Sequence, residues 1–322
     1  MSASAGGPGE PGRHLALVGP TASGKSSVAL ALAERRRAAG ELVELVTVDS
    51  MQVYRGMDVG TASPTADERR RVPHHLLDLA DPGDEFSVAE FRDAADAAIY
   101  DIESRGGRAI LVGGTGLYLQ AVVDRLELPG RYPEVAAQLQ AQDDTLALHR
   151  RLVELDPEAA ARIEPGNRRR TIRALEVTLG SGRRFSEFGP GLDAYPPTPI
   201  VLAGLRVDRD VLRRRIAERY AVQLDEGFLD EVRTLAARPE GISRTAAQAL
   251  GYKELLAHLD GSCTLDEAVA LAVDRTRQFA VRQIRWFRRD PRITWFDHDG
   301  DPLATVDALD AHWAGAGWPA EP

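Results

Sequence analysis

The sequence has little cysteine, little lysine and no long apolar run. Its 322 residues include one cysteine, Cys263, which excludes an internal disulfide and a cysteine-rich zinc site. No apolar stretch reaches the length of a membrane span, and the Gly-, Pro- and Ala-rich start lacks the basic and apolar regions of a signal peptide. We therefore expect a cytoplasmic protein whose residues 1–13 form a disordered leader.

The charged residues are unevenly distributed. Lys25 and Lys253 are the only lysines, and the formal net charge is −9, which disfavours general binding to nucleic acid. Residues 162–184 and 275–292 nevertheless contain seven arginines each. These stretches are either solvated helix faces or a local site for a polyanion, and charge alone does not decide between the two.

A short apolar run at residues 14–18 leads into the sequence GPTASGKS, which matches the phosphate-loop pattern G-x-x-x-x-G-K-[ST]. A helical pattern follows at once, so the loop has the strand-to-helix context that its chemistry requires. Backbone amides and the helix N-terminus bind a di- or triphosphate in such loops, with the lysine on the outer phosphates and the serine hydroxyl on Mg²⁺. The predicted phosphate-binding residues are Gly19, Pro20, Thr21, Ala22, Ser23, Gly24, Lys25 and Ser26, with Ser26 as the metal ligand.

Apolar strands alternate with helical patterns in most of the chain. We predict strands at 44–49, 109–112, 200–205 and 293–296, and helices at 28–39, 86–104, 211–224, 228–237, 243–258 and 265–289. This order predicts a phosphate-loop α/β fold, in which a parallel sheet is flanked by helices. Residues 14–125 and 200–297 would form this core domain, 126–199 an inserted helical domain, and 298–322 an acidic tail.

Asp49 is the acid to note, because it stands at the carboxyl end of a strand beside the phosphate loop. An ordinary phosphate-loop ATPase also needs an acid after a later strand, but the strand at 109–112 ends in Gly-Gly-Thr. The residues alone therefore favour a small-molecule kinase in which Asp49 accepts a hydroxyl proton, with another phosphate transferase as second choice.

Several longer motifs resemble the tRNA dimethylallyltransferase family. They are the phosphate loop, DSMQVYRGMDVGTA at 49–62, PHHLLD at 73–78, LVGGTGLY at 111–118, RALEV at 173–177, QALGYKE at 248–254 and TRQFAVRQ at 276–283. They occur in the family's order and spacing across roughly residues 14–297. The block at 49–62 is much more specific than a phosphate loop.

The resemblance implies transfer of a dimethylallyl group from dimethylallyl diphosphate to N6 of the adenosine just 3′ of a tRNA anticodon. The phosphate loop and Mg²⁺ would then bind the departing diphosphate. Asp49 would be the general base for the amine, and Thr115 would orient that amine. The adenine would leave its stack to reach the donor.

The resemblance also implies that the inserted helical domain at 126–199 binds tRNA, and it implies particular residues that contact tRNA. We expect a monomer that binds tRNA and no membrane. The predicted contacts are Asp49, Ser50, Met51, Gln52, Thr115, Arg169, Arg170, Thr171, Ile172, Arg173, Gln248, Gly251, Tyr252 and Lys253. A family contact that would fall on Ala136 is in doubt, because residues 134–140 lack the arginine that some members carry there.

Each assignment has a purely structural alternative. Asp49 could cap the turn that follows it, Thr115 could satisfy the Gly-Gly turn, and the arginines at 169–173 could be solvated. His74 and His75 lack a metal partner at suitable spacing, so we interpret them as structural or substrate-lining. The competing functions are a small-molecule kinase, prenyl transfer to a free adenine nucleotide, and non-catalytic binding of nucleic acid.

Overall fold

The computed structural model describes residues 14–189 and 191–315, so the predicted leader and the last residues of the predicted tail lie outside the described part. The chain divides into two compact units. One comprises Met1–Asp124 and Pro197–Pro322, and the other Arg125–Pro196. Within the described residues, no helix is both long and apolar enough to cross a bilayer.

A six-stranded sheet lies at the centre of the larger unit, and every neighbouring pair of its strands is parallel. The strands are β1 His14–Val18, β2 Val43–Val48, β3 His74–His75, β4 Arg108–Gly113, β5 Ile200–Val207 and β6 Thr294–His298. Their order in the sheet is β3-β2-β4-β1-β5-β6. The parallel sheet predicted from the sequence is therefore confirmed.

Both faces of the sheet are buried, as a parallel sheet requires. Ala16 and Val18 of β1 belong to one apolar cluster, whereas Leu15 and Leu17 belong to a second cluster on the opposite face. The helices of this unit are α1 Lys25–Ala38, α2 Ala66–Arg71, α3 Val88–Ser104, α4 Gly116–Val123, α9 Arg209–Asp225, α10 Phe228–Ala236, α11 Tyr252–Leu259, α12 Leu265–Phe287 and α13 Val306–Gly315.

In the smaller unit, every regular element among the described residues is a helix. It contains α5 Pro133–Gln140, α6 Thr145–Leu155, α7 Pro157–Ala161 and α8 Arg168–Ser181, packed around a small apolar core. Asp156 joins its elements, because its carboxylate accepts hydrogen bonds from the amides of Ala159 and Ser186 at 3.0 and 2.8 Å. The helical insertion predicted from the sequence is present.

One local prediction is wrong. The helix predicted at 243–258 is broken, because a short 3-10 helix at Ala246–Gln248 is separated from α11 by Gly251 at φ +89°. A Cβ on Gly251 would lie 2.7 Å from the Phe228 ring. The predicted acidic tail contains α13, whose Trp313 is fully buried and stacks on the Arg108 guanidinium at 3.9 Å.

Candidate active site

The phosphate loop (residues 19–26) joins β1 to α1 and leaves the first turn of that helix open. Gly24, at φ +89°, is the N-cap of α1, and no side chain caps the helix. Helix N-terminal amides without a side-chain cap are suited to an anion. A side chain at Gly24 would be excluded, because a Cβ there would lie 2.4 Å from Pro302.

Side chains distant in sequence hold this loop in place. The Thr21 amide donates to Oε1 of Gln283 on α12 at 2.8 Å, and Nε2 of the same Gln283 donates to the Gly114 carbonyl at 2.9 Å. His298 Nε2 lies 3.0 Å from the Ser23 carbonyl. Gln283 therefore connects the phosphate loop directly to the turn that follows β4.

Two cations of the site lie at the phosphate loop. Lys25 Nζ donates to the Pro20 carbonyl at 2.7 Å, and desolvation lowers the pKa of Lys25 to about 8 although Asp49 opposes the shift. Arg219 on α9 donates to Thr21 Oγ1 at 3.2 Å, and desolvation also lowers its pKa. Within the described residues Arg219 has no ion pair with a carboxylate. The side chains of Lys25 and Arg219 are therefore both available to bind an anionic ligand.

Asp49 and Thr115 follow neighbouring strands. Val48 of β2 pairs with Gly113 of β4, so the residues just beyond them project from the same sheet edge. The Ser50 amide donates to Thr115 Oγ1 at 3.1 Å, and the Met51 amide donates to Asp49 Oδ1 at 2.8 Å. Asp49 thus does cap the following turn, but this uses one of its two carboxylate oxygens.

A cavity of about 310 Å³ opens beside these groups. It brings together these residues that the sequence predicted: Thr21, Asp49, Ser50, Met51, Thr115, Gln248 and Tyr252. The sequence did not predict a site role for the remaining lining residues: Gly60, Thr61, Ile216, Arg219, Tyr220, Gln223, Ala249, Leu250, Thr276, Phe279 and Arg282. The cavity is therefore flanked by the phosphate loop, by the ends of β2 and β4, and by α9 and α12.

The missed residues on α9 had a sequence signal, although an incomplete one. Ile216, Arg219, Tyr220 and Gln223 recur at intervals of three and four, which marks one face of a helix. The spacing predicts that these side chains share one face of the helix, but it does not predict which other elements that face contacts.

The remaining predicted residues are not part of the lining. Ser26 is exposed at the first turn of α1, Gln52 directs Nε2 to the carbonyls of Thr61 and Ala62, and Lys253 is exposed beside the buried Gly251. These positions flank the lining residues along the chain.

The arginine-rich stretch lies on α8 of the smaller unit. Arg169 and Arg170 are exposed, whereas Arg173 donates to the carbonyls of Pro129 and Gly130 and to Glu176. Thr171 is fully buried and Ile172 is 8% exposed, so neither side chain reaches the surface. The contacts of Thr171 and Ile172 with tRNA stay predictions that their buried side chains do not support, and the exposed candidates on α8 are Arg169 and Arg170.

The described residues hold no group of three or more His, Cys, Asp or Glu side chains suited to a metal ion. His74 Nδ1 lies 2.8 Å from the Val72 carbonyl, and His75 Nε2 lies 2.7 Å from the Glu44 carboxylate. Both histidines therefore make structural contacts at β3.

Comparisons with known proteins agree on one family. A family model described as IPP transferase matches residues 52–290. A tRNA dimethylallyltransferase of Geobacter metallireducens is 46% identical over 293 residues, which cover 89% of this chain and 93% of the relative. One from Kineococcus radiotolerans is 50% identical over 295 residues, covering 90% of this chain and 92% of the relative.

Two solved structures resemble this one. A tRNA isopentenylpyrophosphate transferase of Bacillus halodurans superposes with a TM-score of 0.70 at 40% identity, covering 95% of this chain and 96% of that structure. A eukaryotic dimethylallyltransferase described as acting on tRNA superposes with a TM-score of 0.77 at 24% identity, covering 96% and 81%. At that identity the second likeness concerns the fold alone.

Proposed function

The chain belongs to the tRNA dimethylallyltransferase family, and we propose on that premise that Asp49, Thr115 and the phosphate loop perform its prenyl transfer. The protein is an enzyme that transfers a prenyl group to tRNA. The observation that supports the residue assignment is the single cavity lined by Thr21, Asp49 and Thr115. One cavity thus adjoins an anion cradle and a candidate base.

We propose dimethylallyl diphosphate as the donor. Its diphosphate would lie against the amides of the phosphate loop and the uncapped N-terminus of α1, with Lys25 and Arg219 as the cationic partners. Negative charge grows on the diphosphate as the C–O bond breaks. Donors already fixed in place stabilise that charge without reorganising, which is the largest contribution that such a site makes.

The donor set at the loop fits Mg²⁺. Ser26 offers a hydroxyl oxygen at the start of α1, and the described residues supply no competing cluster of nitrogen or sulfur ligands. Mg²⁺ prefers oxygen ligands, keeps several waters and is usually shared with substrate phosphates. We propose that Ser26 would hold a Mg²⁺ that neutralises part of the diphosphate charge.

We propose N6 of the adenosine immediately 3′ of the anticodon as the acceptor. The N6 lone pair forms a bond to C1 of the dimethylallyl group, the C1–O bond breaks, and diphosphate leaves with the bonding electrons. The amine then loses a proton to Asp49, whose Oδ2 is not engaged by the Met51 amide. Thr115 Oγ1 accepts the Ser50 amide and keeps a second lone pair for an N6 proton, so it can orient the amine.

We propose that tRNA also contacts the exposed Arg169 and Arg170 of α8, together with Gln248 and Lys253 near the cavity. Exposed arginines suit phosphate contacts, which position a nucleic acid without reading its sequence. This proposal gives the inserted helices a function in binding tRNA. A monomer in the cytoplasm would be sufficient for this reaction.

The direct test incubates the purified protein with dimethylallyl diphosphate, Mg²⁺ and a tRNA that carries adenosines beside its anticodon. We expect a prenyl mass increment on the tRNA and release of diphosphate. Parallel reactions with AMP as acceptor, and with ATP and small hydroxyl compounds, measure the two competing activities. Prenylated AMP without prenylated tRNA, or phosphoryl transfer from ATP, would contradict the proposal.

A further inference from the structure

Glu231 of α10 accepts four hydrogen bonds, three from backbone amides and one from Tyr252 of the cavity lining. Its Oε2 accepts the amides of Asp58 and Val59, both at 2.8 Å. Its Oε1 accepts the Gly60 amide at 3.1 Å and the Tyr252 hydroxyl at 2.5 Å. Within the described residues no Arg, Lys or His forms an ion pair with this carboxylate. Four neutral donors thus satisfy one charged group.

These bonds fix a short segment of backbone, residues 58–61, which we call the loop wall. Gln223 Nε2 donates to the carbonyls of Val59 and Gly60 at 2.6 and 3.1 Å, so the amides and the carbonyls of the segment are both held. Gly60 packs so closely on α10 and α11 that a Cβ there would lie 2.1 Å from the Phe228 ring. The loop wall is therefore anchored against these helices.

The loop wall forms part of the cavity, and it also supports the segment that carries Asp49. Gly60 and Thr61 line the cavity. Gln52 Nε2 donates to the carbonyls of Thr61 and Ala62, each at 3.1 Å. Gln52 lies three residues after Asp49, so the anchored wall and the candidate base are joined by one short chain of contacts.

We propose that Glu231 is a positioning residue for the prenyl acceptor, holding the loop wall so that the adenine is placed against Asp49. This inference rests on the proposed function. We expect an effect on the acceptor and not on the donor, because the hydrogen bonds of Glu231 lead to the loop wall and Tyr252 and none leads to the phosphate loop. Glu231 acts through the wall and does not touch the reacting atoms.

The carboxylate cannot be replaced by its amide without loss. Glutamine presents one acceptor oxygen and an NH₂ group, and that NH₂ would face two donors. In this part-buried cluster, a donor left without its acceptor costs more than the hydrogen bond is worth. Glu231→Gln keeps the size of the side chain and removes about half of its acceptor capacity, so it tests the anchoring directly.

The experiment compares Glu231→Gln with Asp230→Asn, the same acid-to-amide change at the preceding, exposed position of α10. Initial rates are measured with tRNA varied and with dimethylallyl diphosphate varied, and diphosphate affinity is measured by calorimetry. For Glu231→Gln we expect kcat/KM for tRNA to fall about tenfold or more, since misplacement of about 1 Å at a reacting centre can cost about 10²-fold. Diphosphate affinity and the donor KM should stay within about twofold of the wild type, and Asp230→Asn should resemble the wild type.

Tyr252→Phe provides a second, milder variant, because it removes only one of the four bonds to Glu231. We expect the same selective loss for tRNA at smaller size, so the inference stays testable if Glu231→Gln does not fold. Unchanged tRNA kinetics in the variants, or an equal loss of donor and acceptor parameters, would overturn the inference while leaving the proposed function intact. A wild-type protein that does not prenylate tRNA would overturn the proposed function first.

Discussion

The phosphate loop and the loop wall are two short backbone segments beside one cavity, and they are held in different ways. The phosphate loop comes from one contiguous motif, and the helix N-terminus that completes it follows within two residues of Ser23. The loop wall owes its place to Gln223, Glu231 and Tyr252, which lie more than 160 residues away along the chain. The phosphate loop can thus be recognised from a contiguous motif, although Gln283 and His298 hold it from distant elements, whereas no local motif predicts the loop wall.

The largest expected effect lies between the two regions, at Asp49. Asp49→Asn keeps an oxygen to accept the Met51 amide but no longer takes a proton. We expect kcat to fall about 10²- to 10⁴-fold, the usual contribution of a general base, while tRNA binding in a filter assay is retained. Asp67→Asn on the exposed side of α2 is the control. Turnover of Asp49→Asn above about a tenth of wild type would place the base elsewhere.

Arg219 tests the contribution of the phosphate loop to binding of the donor. Arg219→Gln removes a guanidinium that bonds Thr21 and has no carboxylate partner in the described part of the chain. We expect kcat/KM for the donor to fall about 10²- to 10³-fold, as when a fixed donor to a developing anion is lost. Binding of tRNA alone should not change. Arg213→Gln, on an exposed position of the same helix, should behave as wild type. Equal effects of the two changes would argue that only general charge matters.

Gln283 joins the phosphate loop to the turn that precedes Thr115, so its loss should affect the use of both donor and acceptor. Gln283→Leu leaves the Thr21 amide and the Gly114 carbonyl without their shared partner. We expect about a tenfold fall in kcat/KM for both substrates, because the donor cradle and the Thr115 turn lose a common support. Gln278→Leu, at an exposed position of the same helix, is the matched control. A loss confined to one substrate would show that the bridge serves one side only.

The smallest expected effect concerns pH and Lys25. The pKa of Lys25 in the folded protein is about 8, below its ordinary value of 10.5. The charged lysine binds diphosphate, so affinity measured by calorimetry should fall about fivefold between pH 8 and 9, where most of the protonated form is lost. Stability moves the other way, since the unfolded chain binds more protons between pH 8 and 10.5, and unfolding should become harder over that range.

Lys25→Met distinguishes the titration of Lys25 from the titration of every other group in the protein. The variant should lose this part of the pH dependence both in diphosphate affinity and in denaturant midpoint. An affinity that declines above pH 8 with equal slope in the variant would assign the titration to a different group.

The sequence predicted the parts of this molecule that depend on local pattern. The parallel sheet, its flanking helices, the helical insertion and the transfer of a prenyl group to tRNA are confirmed. Local signals also lie at helix starts: Ser87 and Glu90 form a capping box at the start of α3, and both partners lie within one turn. The roles of the individual site residues stay predictions.

What the sequence did not predict depends on contacts between distant residues. The break before α11 follows from the packing of Gly251 on Phe228, which no local pattern shows. Arg219 and Glu231 looked like ordinary charged positions on amphipathic helices. Thr171 and Ile172 are buried within an arginine-rich stretch because they lie on the inward face of α8. The motif alone does not show which face of the helix each residue occupies.

The pairing of Val48 with Gly113 restricts which mutations this enzyme can tolerate. The spacing of Asp49 and Thr115 is set by backbone register between β2 and β4, and Gly113 approaches so closely that a Cβ would lie 2.0 Å from the Val48 carbonyl. Exchanges of apolar side chains in these strands can be repaired by repacking. Gain or loss of a single residue cannot, because it would turn every following side chain to the other face. Substitutions of apolar residues can therefore be tolerated in β2 and β4, whereas insertions and deletions cannot.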